Sequence, residues 1–189
     1  MPRVNAVGDL VLTDAREFRA LAEPLALTLT DRLRRDGPAT TATLSHLLGA
    51  AEPELDRLLE ELERVGIVAR GDDGWRAVAR GFVFEVPDDP DGQAAARGLA
   101  NVMLLQYLDV PKHWVAEDEP RLDVDWARAA GLFNARVALT PDELRTVQEE
   151  LEKLLAPYLT RAADDTPPDA RNVRILAYFL PGAEPPQPR

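Results

Sequence analysis

Within one short stretch the chain places several groups that can bind phosphate. Thr40, Thr41, Thr43, Ser45 and His46 lie close together, and Arg57, Arg70, Arg76 and Arg80 follow at wider spacing. Hydroxyl and guanidinium groups hydrogen-bond phosphate oxygens and set a protein's register on a nucleic-acid backbone. Glu54 adds a carboxylate of the kind that accepts from cytosine N4 in the major groove. The competing reading is that these arginines are solvated or paired with nearby acids. A second constellation, Tyr107, His113, Trp114, Trp126 and Phe133, has the aromatic character of a small-molecule pocket with a few polar groups, or of ordinary core. Asp123 and Asp125 are close enough for acid–base work. No nucleophile, phosphate loop or metal-ligand spacing accompanies them, so they read as caps and surface, and an enzyme is not expected.

The bulk composition narrows these possibilities. The 189 residues are 46% hydrophobic, enough to build a core. There are 22 lysines and arginines against 33 acids, and the net charge of -11 repels a polyanion at long range. Any DNA contact must therefore rest on locally gathered arginines. Cysteine is absent and only His46 and His113 are present, so neither a metal nor another cofactor is expected. The N-terminus has acids where a signal peptide needs a continuous apolar stretch, and no membrane-length apolar run follows. A cytoplasmic protein with no membrane partner is the expectation.

The elements that would position these groups follow from caps and periodicity. Thr13 or Asp14 starts a helix bearing Phe18, Leu21 and Ala22, which Pro24 breaks. A second helix runs from Leu25 to Arg35 and stops at Asp36-Gly37-Pro38. Thr40 or Thr41 caps a third, with Leu44, Leu47 and Leu48, closed by Gly49. Pro53 opens a fourth, with Leu55, Leu58, Leu59, Leu62 and Val65, ended by Gly66. Ile67–Arg70 and Trp75–Val78 then flank Gly71-Asp72-Asp73-Gly74 as a hairpin. Helix, tight turn, helix and hairpin is the winged-helix order.

Beyond a boundary at 87–92, a helix spans Gln93 to about Val110, and a short one surrounds Trp126. Leu132–Leu139 and Val173–Leu180 are expected to be paired strands. Between them, Thr140-Pro141-Asp142-Glu143 caps a long amphipathic helix. The expected class is α+β, mainly α. It comprises an N-terminal arm over 1–12, a winged helix-turn-helix over 13–86, a smaller helical region over 87–180 with a short antiparallel β pair, and a disordered tail over 181–189.

Phe18–Leu25, Gly37-Pro38-Ala39-Thr40 with Leu47-Leu48-Gly49, Leu62–Val68, and Trp75-Arg76-Ala77 resemble the arsenic-repressor-like (ArsR-like) winged-helix regulators of actinobacteria. Leu139–Leu144, Pro167–Ala170 and Val173-Arg174-Ile175 resemble a subgroup with an added α/β region. The resemblance implies a homodimer whose paired recognition helices meet successive major-groove faces of double-stranded DNA. The leading expectation is a homodimeric winged-helix transcription regulator whose C-terminal region, 87–180, assists dimerisation or senses a small organic effector. The sequence departs from that pattern at Glu52–Arg64, where Leu58 occupies the family's histidine position and six acids face two arginines. The alternative is a winged helix that has lost DNA binding and takes a protein, peptide or small molecule. The opening helix and the helix from Gln93 offer apolar sides for a homodimer seam, or for closing over their own domain.

Overall fold

A computed structural model of the chain describes residues 3–5 and 8–182. Residues 183–189, most of the tail expected to be disordered, lie outside the described residues. The fold is α+β and mainly helical. It divides into two compact units between Gly131 and Leu132.

The first unit opens with strand β1 (Asp9–Leu12), whose alternation puts Leu10 and Leu12 inside. It pairs in parallel with β4 (Gly81–Phe84), Leu10 opposite Phe82 and Leu12 opposite Phe84. The stretch expected as an arm thus contributes a strand whose partner lies some seventy residues away.

Helix α1 (Ala15–Leu21) starts at Asp14 through a capping box: the Asp14 carboxylate accepts from the Arg16 amide, and Glu17 accepts from the Asp14 amide at 2.9 Å. Helix α2 (Pro24–Asp36) has proline in its first turn and ends at Gly37, in the left-handed region at φ +87. Helix α3 (Thr41–Leu48) is capped by Thr40 and closed by Gly49. Helix α4 (Glu52–Arg64) buries Leu55, Leu58, Leu59 and Leu62 and leaves its acids outside.

Strands β2 (Val68–Gly71) and β3 (Gly74–Ala77) form the expected hairpin, with Arg70 opposite Trp75. Ala39, just before α3, exchanges two backbone hydrogen bonds with Trp75, at 2.9 and 2.8 Å. Gly74 makes that approach possible. A Cβ there would lie 2.5 Å from the Ala39 carbonyl oxygen, and φ is +110.

Helix α5 (Pro90–Tyr107) begins three residues before Gln93, because Asp89 caps it and Pro90 fits the first turn. Its Ala95, Ala96 and Leu99 join one core with Phe18, Leu21, Leu27 and Leu59. The Phe18 and Phe84 rings meet edge to face at 5.5 Å. Helix α6 (Asp109–His113), a π turn (Trp114–Asp118), a 3-10 turn (Glu119–Arg121) and α7 (Val124–Ala129) complete the unit.

The second unit is built on α8 (Pro141–Leu159), with the expected Thr140–Glu143 capping box. The antiparallel β pair expected here does not form: 132–139 and 173–180 lie outside any helix or strand and have no ladder pairing. Two short strands separated by a long helix have little to hold them unless a third layer covers one face. Phe133 at 93% exposure and Leu180 at 83% show that no such layer lies over them.

Candidate nucleic-acid interface

Residues of α4, of the β2–β3 hairpin and of the start of α3 line one open cleft, and the groups expected to contact phosphate divide between those held in the fold and those left exposed. Thr41 is half-buried. Its hydroxyl donates to Asp56 Oδ1 at 2.8 Å and accepts from the Trp75 indole at 3.3 Å. Ser45 donates to the Ala50 carbonyl at 2.7 Å and so fixes the turn into α4. Both hydroxyls are engaged in holding the fold. His46 is exposed on α3, and Glu54 is exposed in the first turn of α4.

The arginines divide into two groups. Arg57 is tied to Glu23 Oε1 at 3.1 Å and Glu61 Oε2 at 3.6 Å, so the one base in the middle of α4 is neutralised within the fold. Arg80 pairs with Asp9 at 3.4 Å, and its Nε and Nη1 are buried and unpartnered, so it links the β1–β4 region instead of facing outward. Arg70 and Arg76 remain exposed on the hairpin. The Arg70 guanidinium lies 4.4 Å from the centre of the Trp75 ring, which holds it in place by cation–π attraction.

Between these elements is an open cleft of about 610 Å³. It is lined by Thr40 and Thr41, by Asp56 and Glu60 of α4, and by Arg70, Asp72, Asp73 and Trp75 of the hairpin. Four carboxylates against one guanidinium make it electronegative. The sequence signalled the acids of α4, whereas the approach of Asp72 and Asp73 depends on the Ala39–Trp75 docking.

The residues expected to line an effector pocket are not gathered in one place. Tyr107 ends α5 and donates to Asp31 Oδ2 at 3.1 Å. His113 is exposed, while Trp114 and Trp126 are half-buried in different helical turns. Phe133 belongs to the second unit. An apolar groove of about 240 Å³ in the first unit is lined by Pro24, Thr28, Val102, Leu105 and Gln106, none of the five expected residues.

A polar relay that sequence reasoning missed runs through α2. Asp31 accepts from Tyr107 and pairs with Arg34 at 3.5 Å; Arg34 in turn donates to the Ala79 carbonyl at 3.4 Å and lies 4.7 Å from the Phe82 ring centre. Burial pushes the Arg34 pKa below its ordinary value, and the Asp31 carboxylate opposes that shift. Its only sequence signal was the i, i+3 spacing of Asp31 and Arg34.

Among the described residues no helix is long and apolar enough to cross a membrane. Compared with known proteins, the chain matches no family model and no curated protein.

Proposed function

We propose that the chain is a homodimeric transcription regulator of the winged-helix type, which meets double-stranded DNA chiefly through the β2–β3 wing. The observation that carries this reading is the docking of the hairpin on the start of α3 through the Ala39–Trp75 pair. That docking makes α3, α4 and the wing one rigid head, with Arg70 and Arg76 at its exposed edge. Two arginines per head suffice for phosphate contacts of modest strength. The acids of α4 keep that helix from lying deep in a groove walled by phosphates.

A second reading is favoured by the engagement of Arg57 with Glu23 and Glu61 and by the four carboxylates of the cleft. It makes the head a docking surface for a basic protein or peptide. The combined variant Glu54→Ser, Glu60→Arg and Glu61→Arg separates the two. If the first reading is right, it strengthens binding to the natural site while the footprint stays in place. Under the second, the variant gains sequence-independent DNA affinity and the regulatory phenotype is lost or retained without any footprint.

A small-molecule response fits the relay from Tyr107 through Asp31 and Arg34 to the β3–β4 connection, because a shift of the end of α5 would reach the wing. Effector binding is then a change in the population of head positions.

A further inference from the structure

Between α2 and the last turns of α5 the first unit has an apolar groove of about 240 Å³, lined by Pro24, Thr28, Val102, Leu105 and Gln106. It opens because α5 leaves the core as it runs: Leu99 is fully buried, Val102 is half-buried and Leu105 is 61% exposed. The volume exceeds the roughly 150 Å³ of an apolar cavity that holds benzene, and it falls below the range of drug-sized sites. It suits a molecule of one ring or two fused rings. None of the five lining residues is charged, so a charged ligand would leave water without a counter-charge.

One group in the lining lacks a partner. Gln106 Nε2 donates to the Thr28 hydroxyl at 3.4 Å, and that hydroxyl donates in turn to the Pro24 carbonyl at 3.2 Å. With its proton committed, the hydroxyl can only accept from Gln106, which turns Nε2 toward Thr28 and leaves Oε1 as the free end of the amide. Oε1 is buried and has no hydrogen-bond partner among the described residues. A buried acceptor without a donor is costly, and native proteins supply one from water or from a ligand.

We infer that this groove binds a small uncharged ring compound whose N–H or O–H donates to Gln106 Oε1. The inference rests on the small-molecule response proposed above and deepens it by naming the site and the chemistry of the effector. Water alone at Oε1 satisfies one atom and leaves the apolar sides of Val102 and Leu105 wet, whereas a ring that carries a donor covers both. Consecutive residues at the end of α5 link it to α2, Gln106 to Thr28 and Tyr107 to Asp31. A ligand seated at Gln106 therefore lies beside the first residue of the relay that reaches Ala79 and Phe82, which gives the site a route to the wing.

Two isomers of equal size, skatole and N-methylindole, differ in whether the ring nitrogen carries a proton, and their comparison on wild type needs no variant. Calorimetric titration of the full-length chain should give one skatole site with a dissociation constant at or below about 1 mM, and N-methylindole should bind about tenfold more weakly. Gln106→Leu should bring skatole to the N-methylindole value and leave N-methylindole within about twofold. Val102→Phe, which fills the groove, should abolish binding of both, with thermal unfolding showing that each variant is folded. Absence of skatole binding at millimolar concentration, equal affinity for the two isomers, or binding that survives Val102→Phe overturns the site. Skatole should also shift the affinity of the chain for DNA, and Tyr107→Phe should remove that shift without weakening skatole binding. Skatole binding as expected with no shift in DNA affinity, or with no DNA binding at all, supports the site and overturns the effector response or the regulator reading respectively.

Discussion

The hydroxyl of Thr41 donates to Asp56 at 2.8 Å, joining the start of α3 to α4, and the same oxygen accepts from Trp75 on the hairpin. A residue whose type suggested phosphate contact is the pin at the junction of three elements. Thr41→Val keeps the shape and leaves the Trp75 indole N–H and the Asp56 carboxylate without their partner. Loss of a hydrogen bond to a carboxylate that is partly solvated costs about 1–2 kcal/mol. Urea unfolding should show that decrease, and Asp56→Asn should lose less when added to Thr41→Val than when made alone.

Two glycines should respond in opposite directions. Gly74→Ala forces a side chain into the Ala39 carbonyl at positive φ, so it should destabilise by more than about 2 kcal/mol and loosen the hairpin. Gly98 sits inside α5, exposed, with nothing within 4 Å of an added Cβ. Gly98→Ala should stabilise by about 0.5–1 kcal/mol, through helix propensity and a less free unfolded chain. Thermal unfolding of the two variants against wild type checks both signs.

Acid should loosen the start of α1. The Asp14 carboxyl is held at about 2, below its ordinary 3.8, first by the Arg16 side chain and then by the Arg16 amide. A depressed folded value means that the stabilising contribution is present above about 3.8 and is lost as pH falls from there toward 2. Asp36 is lowered to about 2 by Arg35 and adds to the same window. The urea midpoint of wild type should therefore fall more steeply between pH 4 and pH 2 than that of Asp14→Asn, and the two curves should converge at the acid end. Parallel curves would contradict this account of the cap.

The relay on α2 predicts coupling between α5 and the β4 region. Tyr107→Phe removes the bond to Asp31, leaving that carboxylate to Arg34 alone. Amide exchange should accelerate around Ala79 and Phe82 as well as at the end of α5. Arg34→Met, which keeps much of the apolar stem, should reproduce the first effect and make the Tyr107 change nearly silent there.

What could be read from sequence was local. Asp14, Thr40, Gly49, Pro53, Gly66 and Thr140 each cap or break an element within a few residues, so α1, α3, α4 and α8 were legible, as was the hairpin turn at Gly71–Gly74. Strand β1 was not, because its register depends on β4 across most of the unit. Side-chain commitments were only partly legible: the sequence left Arg57 between phosphate contact and pairing with nearby acids, and the partner from outside its own helix, Glu23 on the approach to α2, could not be read from spacing. In the second unit, apolar β-branched and aromatic composition suggested strands at 132–139 and 173–180. Composition of that kind reports a need for burial, and the covering layer is what decides whether a ladder forms.

The most direct test of the proposed function is titration of fluorescent duplex DNA from the chain's own upstream region, followed by anisotropy from low to moderate salt. With Arg70 and Arg76 contributed by each head of a dimer, about four phosphates are neutralised, and affinity should fall by roughly 100-fold between 50 and 200 mM salt. Arg70→Ser with Arg76→Ser should remove most of the binding and flatten that slope. Absence of binding at the lowest salt, or binding that persists unchanged without both arginines, would contradict the wing as the DNA contact.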